Sequence, residues 1–254
     1  GLPLCELLGG KVREFVPTKW SVSGVEPEPA AEIARWAVAQ GFKAMKVKVG
    51  TEPDADVARV RAVREAIGPD IKLGVDANGG WAMDVALRTI ERLDEFDICF
   101  VEQPLPPEDG VHLADLRKTI RLPIIADESV YTLQDAMMLA RLGAADVFSI
   151  YVGKAGGIGP ARQIAEFAQS VGINCTVGSN LELGVGSAAM THLAIATPGS
   201  AAEEFPCDII GPFYYEDDIV REPLPIKPGA ARTNTSPGLG VELDEEKVER
   251  YRVK

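Results

Sequence analysis

Short apolar runs alternate along the chain with longer segments whose apolar residues recur every three or four positions. Eight runs read as strands: VPTKWSVSG, AMKVKVG, IKLGVDAN, ICFVEQP, LPIIADES, VFSIYVG, INCTVGS and AAEEFP. Helical periodicity fills the gaps, as in PAAEIARWAVAQG, DADVARVRAVREAIG, MDVALRTIERLDEF, TLQDAMMLARLG and GPARQIAEFAQSVG. Several of these begin after Pro, Asp or Thr and stop at Gly, the residues that start and end helices. Strand alternating with helix implies a parallel sheet. Eight such units in 254 residues predict an α/β fold of the TIM-type (β/α)8 barrel or a close variant. A doubly wound open sheet is the alternative. The rhythm ends near residue 217, where REPLPIKPG and NTSPGLGVELD read as extended chain. The expected organisation is therefore an entering segment (1–15), a barrel (16–216) and a return segment (217–254).

Polar residues interrupt the pattern at one recurring place. Lys48, Asp76, Glu102 and the pair Asp127–Glu128 end the second to fifth strands, each about one βα unit after the last. The carboxyl ends of barrel strands meet at one face, where active sites are built. Three carboxylates from neighbouring strands should therefore converge there. Without a cation they would repel and resist ionisation. An all-oxygen donor set suits Mg²⁺, or Mn²⁺, and leaves coordination positions for substrate oxygens. Asn78 lies on the same face as Asp76, placed to hold a ligand water or orient a carboxylate.

The run AMKVKVG carries the second anomaly. Lys46 and Lys48 alternate onto one side of an apolar strand, a costly arrangement unless something offsets it. Beside an ion and its carboxylates the two lysines have a reason to be together. A second ammonium and a divalent cation disfavour protonation of Lys48, which can then act as a base. The plainer alternative is a pair of lysines in salt bridges with the carboxylates.

Composition narrows the partners. A net charge of −12 repels phosphate backbones, which argues against nucleic acid. No apolar run reaches membrane-spanning length, and GLPLCELLGG lacks the regions of a signal peptide. Four scattered cysteines without a CxxC pair read as reduced thiols in a cytoplasm, and two histidines argue against a histidine-rich zinc site.

Together, KVK at 46–48, VDAN at 75–78, VEQP at 101–104, ADES at 126–129 and GKAGG at 153–157 resemble the enolase superfamily, in its mandelate racemase and muconate lactonizing enzyme family. The five motifs occur in the family's order and cover nearly the whole chain. The resemblance implies a modified (β/α)7β barrel, a small-molecule carboxylate substrate, Mg²⁺, and removal of the proton α to the carboxylate to give an enolate. In matching positions Asp76, Glu102 and Asp127 would be metal ligands and Glu128 a neighbour or alternative ligand. Lys48 would be the acid–base and Lys46 its electrostatic partner. A homo-oligomer is expected in such a family.

The chain departs from the family's pattern in two ways. The family's N-terminal α+β capping domain is mostly absent from these residues, while the return segment that packs on it is present. On the sixth strand Tyr151 stands where the family often carries a second catalytic lysine or aspartate, three residues before Lys154; either residue is a candidate for the second catalytic group. On the seventh strand Asn180 replaces the histidine of racemases. A phenol is a poor base near neutral pH but can donate a proton. One good base suits elimination of water from a hydroxy acid, such as a sugar acid or a hydroxyproline-like acid. Racemisation, epimerisation and cycloisomerisation are the alternatives, and a non-catalytic metal-binding barrel is a third reading. Asn180, Glu182, Glu204 and Trp20 are candidate substrate contacts. Gly156 and Gly157 read as a tight turn rather than a phosphate cradle.

Overall fold

The computed structural model describes residues 1–253. After a short helix α1 (Leu4–Leu7), the chain alternates strands and helices: β1 (Val16–Pro17), β2 (Trp20–Val22), α2 (Pro27–Gln40), β3 (Ala44–Lys48), α3 (Pro53–Ile67), β4 (Lys72–Asp76), α4 (Met83–Leu93), β5 (Val101–Glu102), α5 (Gly110–Thr119), β6 (Ile124–Ala126), α6 (Leu133–Leu142), β7 (Val147–Ile150), α7 (Ile158–Ser170), β8 (Asn174–Val177) and α8 (Gly184–Ala196). Strands β2 to β8 form one parallel sheet in chain order. Both faces of these strands are covered, so their residues are almost all buried, as the continuous apolar runs require.

Local chemistry sets the helix ends. Thr132 and Asp135 form a reciprocal capping box at α6. Gly41 and Gly143 end α2 and α6 with positive φ, a conformation that L side chains avoid. Inside the barrel, Gly74 faces the Phe100 ring so closely that a Cβ there would fall 2.2 Å from it. Phe100 therefore fills the barrel axis through the space that glycine leaves.

The barrel closes through an extended segment around Cys207. Cys207 N donates to Pro17 O, Lys19 N donates to Cys207 O, and Asp208 N donates to Val177 O. The eighth barrel position thus follows AAEEFP instead of lying within it. Residues 202–205 are a turn in which Phe205 N donates to Ala201 O. The Glu203 carbonyl accepts from Lys72, the first residue of β4, which puts this turn at the amino-terminal rim. A strand through Glu203 and Glu204 would turn one carboxylate into the barrel; the turn leaves both exposed. Glu204 therefore lies away from the carboxyl ends of the strands, where a substrate contact would have to be.

The return segment pairs β9 (Ala230–Ala231) with β1 and ends in α9 (Glu245–Tyr251). Lys247 and the Tyr251 hydroxyl both hold Asp217, tying α9 to the chain beyond Tyr214. No helix among the described residues is long and apolar enough to cross a membrane.

Candidate active site

Sheet register brings the strand-end residues into one row. Lys48 pairs with Asp76 across β3 and β4, and Asp76 pairs with Glu102 across β4 and β5. Beneath that row, Lys46 is 3% exposed. Its Nζ lies 2.8 Å from Glu102 Oε1, 3.1 Å from Asp76 Oδ2 and 3.1 Å from Asp208 Oδ2. Lys46 thus joins β4, β5 and the closing segment by its charge. Burial opposes its charge, but the three carboxylates outweigh this and hold its pKa well above the ordinary lysine value.

Lys48 is placed differently. Its Nζ donates to Asp76 Oδ2 at 2.7 Å and to Asn78 Oδ1 at 2.8 Å, yet a third of its side chain is open. Asn78 passes the contact on, donating to Glu128 Oε1 at 2.6 Å. Asn78 adopts φ 44°, so its backbone N–H also reaches Asp76 Oδ1.

On the opposite wall, the Tyr151 hydroxyl donates to Asp127 Oδ2 at 2.6 Å. Burial, then the Asp127 charge, pushes the phenol well above its ordinary range, so it stays neutral. Lys154 gives its three protons to the Asp127 carboxylate, the Asp127 carbonyl and the Ser149 carbonyl. Its side chain is buried against Asp127. Gly178 makes room for the Tyr151 ring, since a Cβ there would stand 1.9 Å from it.

A cavity of about 330 Å³ opens above these groups, lined by Lys46, Lys48, Tyr151, Asp208, Asn180 and Tyr214 among others. Glu182 turns back to its own loop, accepting from Ser179 Oγ and Asn180 N. Trp20 does not line the cavity. It is buried beneath Tyr214, with the rings stacked 4.8 Å apart, and Tyr214 is the aromatic that faces the opening.

Sequence reading missed three groups. Asp208 reaches the site from the closing segment, and fully buried Lys19 holds it at 3.0 Å. Each had a signal of the KVK kind, a lone charge inside an apolar run: CDII for Asp208 and VPTKW for Lys19. Gln103, with φ 34°, accepts from Asp127 N and Ser129 N and donates to Ser129 Oγ, fixing the end of β6 against that of β5.

The charges suit an additional cation. Five carboxylates (Asp76, Glu102, Asp127, Glu128, Asp208) meet four ammoniums (Lys19, Lys46, Lys48, Lys154). Burial, opposed by Lys46 and reinforced by Asp76, pushes the Glu102 carboxyl up to about 8. Glu102 Oε2, Glu128 Oε2 and Asp208 Oδ1 are buried without partners. Unpaired hard oxygen donors of this kind fit a divalent ion such as Mg²⁺. Among the described residues no three acidic, histidine or cysteine side chains form a ready-made cage, because ammonium groups stand between the carboxylates.

Such a row of strand-end acids and lysines on a (β/α)7β barrel defines a class, and the comparisons agree. Residues 28–247 match the family model described as enolase C-terminal domain-like. The chain is 34% identical over 253 residues to muconate cycloisomerase 1 of Rhodococcus opacus, covering 99% of this chain and 67% of that protein. The N-succinyl Arg/Lys racemase structure from Bacillus cereus superposes with a TM-score of 0.93 at 34% identity, covering 100% of this chain and 67% of that one. A dipeptide epimerase from Cytophaga hutchinsonii, solved with Mg and the dipeptide D-Ala-L-Val, gives 0.93 at 33% identity over 98% of this chain and 67% of its own. The chain belongs to the enolase superfamily, in its mandelate racemase and muconate lactonizing enzyme family. It is an enzyme of the isomerase or lyase class, spanning about two thirds of the length of these relatives.

Proposed function

We propose that this chain carries a Mg²⁺-dependent isomerase that moves a proton at the carbon α to a substrate carboxylate, with Lys48 as the acid–base. The observation behind it is exposure. Of the four site ammoniums, Lys48 has 33% of its side chain open, against 1% for Lys19, 4% for Lys46 and 5% for Lys154. Asp76, Glu102 and Asp127 would hold the ion, which when bound neutralises charge that develops on the substrate carboxylate. With these acids and lysines ionised, the ion and the substrate carboxylate together would bring the charges of the site to balance.

Isomerisation replaces dehydration as the leading reading, because the relatives are named as a cycloisomerase, a racemase and an epimerase. Within that class the geometry favours cycloisomerisation. Lys48 serves one face, while the opposite wall offers Tyr151, neutral and donating to Asp127. A one-sided site suits a ring closure that needs one proton donor. The second reading is epimerisation of a dipeptide or N-acyl amino acid, favoured by the close overlap with the racemase and the epimerase.

The test uses the full-length protein with Mg²⁺ in D₂O, offered cis,cis-muconate, dipeptides and N-succinyl amino acids and followed by NMR. Lactone carrying one deuterium supports cycloisomerisation. α-Deuterium with inversion selects epimerisation and requires a proton from Tyr151. Turnover that survives Lys48→Ala would overturn the assignment of Lys48.

A further inference from the structure

We propose that a buried ion pair on α3, Asp56 with Arg59, is the positioning device for Lys48; this rests on Lys48 being the acid–base. β2 ends opposite Val47, so the sheet does not extend past Lys48 on that side. Arg59 supplies the missing constraint. It is 4% exposed, its Nη1 donates to Lys48 O at 3.0 Å, and its Nε donates to the Val25 carbonyl in the loop after β2.

Asp56, fully buried, orients the guanidinium at 2.9 Å. The same carboxylate accepts from Gly50 N at 2.9 Å, from Thr51 N at 3.2 Å, from Thr51 Oγ1 at 3.0 Å and from Trp81 Nε1 at 3.3 Å. One carboxylate therefore joins the loop after β3 to the residue entering α4. The two loops touch directly: Gly50, at φ 89°, leaves no room for a Cβ beside Ala77 O, nor does Gly80 beside Gly50 O. Lys48 sits at the hinge of this assembly, and Asn78, which accepts from its ammonium, lies on the second loop.

A long side chain reaches a substrate carbon reproducibly only if its backbone root is fixed, and a displacement of about 1 Å can cost about 100-fold in rate. Asp56 and Arg59 touch neither the cavity nor the carboxylates beside it, so they act through Lys48. Both Asp56→Asn and the milder Arg59→Lys, which keeps the charge but loses the two-point fork, are made in the full-length protein. Thermal unfolding confirms that each folds.

The expected result is a fall in kcat of about 10- to 100-fold with KM within about threefold, and a larger isotope effect as proton transfer becomes limiting: a solvent effect in D₂O for ring closure, an α-deuterium effect for epimerisation. Independently of turnover, acylation of Lys48, followed by mass spectrometry against exposed Lys118, speeds up several-fold as the ammonium loosens. Unchanged acylation and unchanged kcat in a folded variant overturn the proposal. If wild-type protein shows no Lys48-dependent exchange on any substrate, the acid–base reading fails. The acylation arm then decides the positioning claim alone.

Discussion

Lys46 holds three buried carboxylates from three different parts of the barrel, so Lys46→Met is the sharpest test of the electrostatic design. Methionine fills a similar volume without charge. The loss leaves Glu102 Oε1 without its partner at 2.8 Å, while Asp76 and Asp208 keep Lys48 and Lys19. Removing one partner of a buried charge set typically costs about 3–5 kcal/mol. For a chain of this size each kcal/mol lowers Tm by roughly 2–4 °C, so the variant should melt about 6–20 °C below wild type. The cost should depend on pH in a set direction. Glu102, pushed up to about 8, is neutral in mildly acidic solution, where less charge is left unpaired. With metal chelated, urea unfolding should therefore give a larger deficit near pH 9 than near pH 6. An equal deficit at both pH values, or a variant as stable as wild type, would refute the view that Lys46 neutralises an ionised Glu102.

Other outcomes follow from the same geometry. In wild-type protein stripped of metal, Glu102 has a raised folded pKa, so its contribution is complete below the ordinary carboxylate range. That contribution is lost as pH rises towards and through about 8, and scanning calorimetry should show Tm falling over that window. Added Mg²⁺ should flatten that slope, because a cation favours the ionised carboxylate. Gly178→Ala should displace the Tyr151 ring, costing about 1–3 kcal/mol in urea unfolding and lowering turnover. Arg13→Ala removes a guanidinium that donates to the Ala194, Thr197 and Ser200 carbonyls at the end of α8. It should lower stability by about 1–3 kcal/mol with kcat unchanged.

Much of the site was legible because periodic burial makes exceptions conspicuous. Lys48, Asp76 and Glu102 stand out in apolar runs one βα unit apart, and parallel register then sets them side by side. Asp208 and Lys19 carried the same signal more faintly. The AAEEFP run drew the eighth strand too early, since alternation cannot distinguish a strand from a turn whose Phe205 is buried among Phe100, Ile125 and Val147. The side chains of Trp20 and Glu182 turn towards Tyr214 and Ser179, a choice of packing that strand position does not set.

The sequence by itself determined the parallel barrel, the face on which chemistry gathers and the residue types gathered there. Those follow from burial periodicity and chain direction, which are local properties. Tertiary structure alone decided which lysine is open to the cavity. Lys46, Lys48 and Lys154 are the same residue type, and only the oxygens and the packing around each separate two buried anchors from one open lysine. That packing depends on where distant segments meet, above all the closing segment that brings Asp208 to Lys46.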